Sequence, residues 1–82
     1  MGVGELRQAF NDICQPAFTC TLALLDYERD GGKEWQILLF RGTSSDGTPF
    51  EIKSERLKGD IDLNIAAKEV AQKLLDQRKP AP

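Results

Sequence analysis

Trp35-Gln36-Ile37-Leu38-Leu39-Phe40 decides how this chain folds. The stretch is apolar on both of its alternating faces, with Trp35, Ile37 and Leu39 pointing one way and Leu38 and Phe40 the other; glycines bound it at Gly32 and Gly42. A strand with one wet face alternates apolar and polar residues, so this pattern predicts a central strand that wants cover on both sides. Aromatic and β-branched residues favour the pleated backbone, and the run is too short for a helix standing alone.

Working outward, Phe18, Cys20, Leu22 and Leu24 form an alternating apolar row, which predicts a first strand over about 17–28. Asp30-Gly31-Gly32 then reads as a tight hairpin, because these residues accept the positive φ that such turns require. The central strand is expected to run through Arg41, and the polar run Gly42-Thr43-Ser44-Ser45-Asp46-Gly47 to form the second hairpin loop. Phe50, Ile52 and Ser54 alternate with Glu51, Lys53 and Glu55, as in a half-buried strand, and Pro49 suits an edge position where a missing donor costs least.

Each end of the chain carries a helical pattern. Val3, Leu6, Phe10 and Ile13 recur at spacings of three and four, and Pro16 predicts that this helix stops near Ile13 or Cys14. Leu63, Ala66, Ala67, Val70, Ala71, Leu74 and Leu75 make a second stripe after a connection over 57–62. Asp60 or Asp62 is its expected N-cap, and Arg78, Lys79 and Pro80 are expected to close it.

The order is therefore α-β-β-β-α, an α+β fold. Two helices with one apolar stripe each are most economically placed on one face of a three-stranded antiparallel sheet, in a single domain over 1–79 with a short tail over 80–82. Loop lengths suggest Leu25 opposite Ile37 and Phe40 opposite Phe50. That register puts Phe18, Cys20, Leu22, Leu24, Leu38, Phe40, Phe50 and Ile52 under the helices. It leaves Thr21, Ala23, Leu25, Tyr27, Trp35, Ile37, Leu39 and Arg41 on the other face, beside Glu51, Lys53 and Glu55. An apolar patch of this kind marks an interaction surface, and Trp and Tyr are the residue types enriched at binding hot spots. The expected contact residues are Leu25, Tyr27, Trp35, Ile37 and Leu39.

Composition narrows the function classes. A chain of 82 residues buries too little surface for a wide stability margin, which favours self-association. Its 40% apolar and 29% charged residues are those of an ordinary globular chain. No run is long enough to cross a bilayer, and no basic segment precedes an apolar one at the start, so a cytoplasmic location without membrane contact is expected. The net charge of −2, with cations spread along the chain, argues against a phosphate backbone as the main partner. Cys14 and Cys20 are the two cysteines and there is no histidine, so neither a zinc site nor a nucleophile paired with a base can be assembled from standard parts. Cys20 reads as a small buried hydrophobe, with a Cys14–Cys20 bridge the alternative.

The element order resembles the double-stranded-RNA-binding domain, and Ala66-Ala67-Lys68-Glu69-Val70-Ala71-Gln72-Lys73-Leu74 is similar to that family's alanine-rich second helix. The resemblance implies the fold. Where the family places its phosphate-binding lysines this chain has Gly59, Asp60, Ile61, Asp62 and Leu63, and the family's Gly-Pro-x-His element is missing from the first hairpin. Small toxin ribonucleases of the same element order rely on a histidine, which this chain lacks.

Two further motifs fail on context. Gly42 and Gly47 have the spacing of a phosphate loop, but the lysine is missing and a strand follows. Asp26 to Gly31 imitates the start of a calcium loop, yet its twelfth position is Ile37 where a bidentate Glu is required. The expectation is a non-enzymatic interaction module with no catalytic, cofactor or metal residues, acting as a homodimer or on a protein partner through the open sheet face. The alternative is nucleic-acid binding through Arg41, Lys53, Arg56 and Lys58, with an aromatic ring for base stacking.

Overall fold

A computed structural model describes residues 3–77, without the side chain of Val3. The elements are α1 (Val3–Cys14), β1 (Phe18–Asp30), β2 (Lys33–Ser44), β3 (Pro49–Lys53) and α2 (Leu63–Gln77). The expected closure of the last helix by Arg78 and Lys79, and the tail over 80–82, lie outside the described residues.

Turn chemistry sets the sheet order β1-β2-β3, antiparallel throughout. Gly31 and Gly32 take φ of 57° and 80°, which is what a two-residue turn between twisted strands demands. The second loop is shorter than expected, because β2 continues to Ser44. Gly47 at φ 87° closes it, with Ser44 N–H donating to Thr48 O at 2.8 Å and Gly47 N–H to Ser44 O at 2.9 Å. Asp46 accepts from the Ser44 hydroxyl and from Thr48 N–H, and these bonds hold its carboxyl down at about 2.

Both helices pack on one face of the sheet. Leu6, Phe10 and Cys14 of α1 and Ala67, Val70, Ala71 and Leu74 of α2 join Phe18, Cys20, Ala23, Leu38, Phe40, Phe50 and Ile52 in a single core. Phe10 stacks on Phe40 with centroids 4.7 Å apart and on Phe50 at 5.9 Å. Small side chains let the helices touch: Ala67 and Ala71 are fully buried, and the Cys14 thiol donates to Ala71 O at 3.3 Å. Asp62 is the N-cap of α2, its carboxylate accepting from Asn64 N–H at 2.8 Å.

The register departs from expectation, and the cause is a bulge. Thr21 is an extra residue in β1: Cys20 pairs with Gly42 and Leu22 with Arg41. Downstream of it every β1 side chain changes face. Leu25 therefore pairs with Leu38, not Ile37, and packs against the core beneath the helices. Ala23 is buried there too, whereas Leu22, expected inside, is 40% exposed. Phe40 pairs with Ile52 and Phe50 with Gly42, a shift of two that leaves both phenylalanines in the core.

Two residues make the bulge possible. At Gly42 a Cβ would collide with Thr19 O and lie 2.8 Å from Cys20 Cα, so only glycine lets the strands approach. Across the strand Asn11, a buried polar residue on α1, accepts from Cys20 N–H at 2.7 Å and donates to Cys20 O at 3.2 Å.

Candidate functional site

Among the described residues no helix covers the far face of the sheet, and the pairing defines what it carries. Leu22, Arg41 and Glu51 form one row across the strands, Leu24, Leu39 and Lys53 the next, then Asp26 beside Ile37 and Glu28 beside Trp35. Ile37 and Leu39 are 5% and 6% exposed although neither belongs to the core under the helices. Their cover comes from neighbouring side chains on the same face. The apolar surface within reach of a partner is thus centred on Leu22, Leu24 and Trp35.

Of the expected contact residues, Trp35, Ile37 and Leu39 do share this face. Leu25 and Tyr27 do not. The Thr21 bulge turns both to the helix side, where Tyr27 pairs with Gln36 and stays 53% exposed. It is exposed because β1 outruns the helices: thirteen residues at ~3.3 Å each make a strand about 43 Å long, against about 22 Å for the fifteen-residue α2.

Arg56 reaches this face by an irregularity that period-two reading does not find. After Lys53 the chain leaves the ladder at Ser54, whose N–H donates to Leu38 O and whose hydroxyl accepts from Leu38 N–H, both at 2.8 Å. It rejoins at Leu57, bridged to Gln36. Leu57 is thereby set in the core, while Arg56 lies over the Trp35 ring at 5.5 Å. Its guanidinium binds Glu28 at 2.7 Å and Asp30 at 3.1 Å, so one side chain ties the connection after β3 to β1 across the indole. Those two carboxylates raise the Arg56 pKa still further.

The four expected nucleic-acid contacts are not gathered into a free basic surface. Arg41 is paired with Glu51 at 2.7 Å and Arg56 with Glu28 and Asp30. Lys53 is the last residue of β3, paired with Leu39, and Lys58 lines a cleft beside α2 with Leu57, Ile61 and Val70. Cations neutralised in place release few counterions from a polyanion.

The two thiols are free and buried, Cys14 at 1% and Cys20 at 2% exposure. Burial pushes Cys14 up to about 11, with the neighbouring Cys20 adding to the rise, and burial raises Cys20 as well. Thiols held protonated in this way are packing groups and not nucleophiles.

The outer edge of β1 is closed at two points. Ser54 N–H donates to Leu38 O and Leu57 N–H to Gln36 O, so these β2 residues turn their backbone groups toward β3; their β1 partners Leu25 and Tyr27 accordingly face outward. Asp26 accepts from Tyr27 N–H at 2.8 Å, and Asn11 occupies both groups of Cys20. A strand adding to this edge would have to displace both.

No helix among the described residues is long and apolar enough to cross a membrane. No protein-family model, curated protein or solved structure matches the chain.

Proposed function

We propose that this protein is a small non-enzymatic interaction module that associates through the sheet face turned away from its helices. One observation carries the reading: Leu22, Leu24 and Trp35 form an apolar surface on the long strands that no helix among the described residues covers, bordered by paired charges. Apolar groups inside a polar rim are the arrangement of a protein–protein contact, in which the rim keeps water from the centre. Capping of the β1 edge by Asn11 and Asp26 favours the face over strand addition.

Solution mass by sedimentation, for the wild type and for Trp35→Glu, tests the reading while the indole fluorescence reports the surroundings of the ring. Association in the wild type and a folded monomer in the variant are expected. An associated variant of unchanged mass would overturn the proposal. Salt-sensitive binding of a nucleic-acid oligonucleotide by the monomer would transfer the function to the cations of the same face.

A further inference from the structure

Beyond the face contact, we infer that the outer edge of β3 is a second, weaker association site, which takes β3 of another copy antiparallel and joins two three-stranded sheets into one. Strand addition, barred at β1, is left to this border. The alternation of the ladder locates the free groups. Ser44 N–H donates to Thr48 O and Ser54 N–H to Leu38 O, so the even-numbered residues of β3 turn their backbone groups to β2. The N–H and C=O groups of Glu51 and Lys53 therefore point outward, and among the described residues they make no hydrogen bond. Nor does any described side chain cap them as Asn11 and Asp26 cap β1.

The charges on this edge indicate the occupant. Because only odd-numbered groups face outward, a two-fold axis normal to the sheet falls on Glu51, Ile52 or Lys53. Centred on Glu51 or on Lys53, it sets that charge directly against its own copy, which is unfavourable. Centred on Ile52, it lays Glu51 of each copy opposite Lys53 of the other and pairs every outward N–H and C=O of these two residues. Lys53 makes no ion pair among the described residues, and Glu51 meets Arg41 through Oε2, which leaves Oε1 to accept from the lysine. On the helix side the axis brings Ile52 onto Ile52, beside the core that each already joins. Glu51-Ile52-Lys53, read antiparallel, is its own complement.

The pair closes at two copies, since the β1 border is capped. It is also short, because β3 has five residues and Pro49 lacks a donor. A few hydrogen bonds with little apolar burial hold at about 1 mM, far above the micromolar concentrations at which sedimentation tests the face. The edge acts where copies are already gathered, because tethering supplies local concentrations of that order.

Trp35→Glu, a monomer at micromolar concentration on the face reading, isolates the edge. Amide exchange of this full-length variant is followed by NMR at micromolar and at millimolar concentration. With half the chains paired, the Glu51 and Lys53 amides should exchange about half as fast as in the dilute sample, and those of Phe50 and Ile52 should not change. Equal rates for Glu51 and Lys53 at the two concentrations would overturn the site.

Charge reversal in the same background reads the register. Glu51→Lys and Lys53→Glu should each abolish the slowing, and an equimolar mixture should restore it, since every cross-strand pair is then opposite in sign. Lys53→Glu breaks no ion pair of the described fold, so its effect is not one of unfolding. Pairing retained by Lys53→Glu would sink the axis at Ile52. Failure of the face reads differently: Trp35→Glu then keeps the wild-type mass at micromolar concentration, and the edge is read from the same two amides of the wild type.

Discussion

The Asn11 carboxamide and the Cys20 peptide group hydrogen-bond to each other in both directions, N–H to Oδ1 at 2.7 Å and Nδ2 to O at 3.2 Å. A helix side chain here does what a neighbouring strand would do for the outward groups of β1, at the residue where the bulge begins. Asn11→Ala leaves a buried donor and acceptor unpaired, and a loss of about 2–4 kcal/mol is expected in urea unfolding. The freed edge gives this variant a second expected property, concentration-dependent aggregation that the wild type lacks. A near-wild-type midpoint would show that Cys20 finds other partners.

Gly42 is the other support of the bulge. Gly42→Ala would drive a methyl group into the backbone at Thr19 and Cys20, and since neither can swing aside, about 3 kcal/mol or more should be lost. Gly59→Ala is the matched control, because a Cβ there meets nothing within 4 Å. Thermal unfolding of the pair should separate them clearly, and equal midpoints would remove the steric account of Gly42.

Stability should fall in alkali through Cys14. Its thiol ionises near 9.0 when unfolded and at about 11 in the fold, so above pH 9 the unfolded chain releases a proton that the native chain retains. The contribution is whole below pH 9 and is lost as pH rises toward 11. Cys14→Ala lowers stability by a cavity term at every pH, and its stability should then fall less steeply than that of the wild type over this window. Parallel profiles would contradict the assignment.

Arg56 over Trp35 should be visible in fluorescence. Arg56→Ala removes the guanidinium from the ring and from Glu28 and Asp30, so the emission should shift to the red as water reaches the indole. The stability cost should be small, because these ion pairs lie in solvent. Arg56→Lys should recover the charge but not the spectrum, since an ammonium group cannot both lie flat on the ring and fork to two carboxylates.

Periodicity and turn chemistry determined the element order, both hairpins, the end of α1 before Pro16 and the buried face of α2. Each of these is a local matter: a stripe at helical spacing, a pair of glycines or a proline acts within a few residues. Trp35, Ile37 and Leu39 fell on the expected face because β2 runs without interruption.

The placement of Leu25, Tyr27 and Arg56 was decided by the tertiary structure. From Leu22 to Leu25 the β1 sequence is apolar on both alternations, so a one-residue bulge at Thr21 leaves no break in the pattern that follows, yet it moves every later side chain to the opposite face. The signals that mark it, a glycine in β2 and an asparagine on α1, stand far from Thr21 along the chain and acquire meaning only when packing brings them together. Arg56 reaches the far face for a related reason: the ladder lapses between Ser54 and Leu57 to bury Leu57, and a side chain expected among the nucleic-acid contacts lies instead over the tryptophan ring.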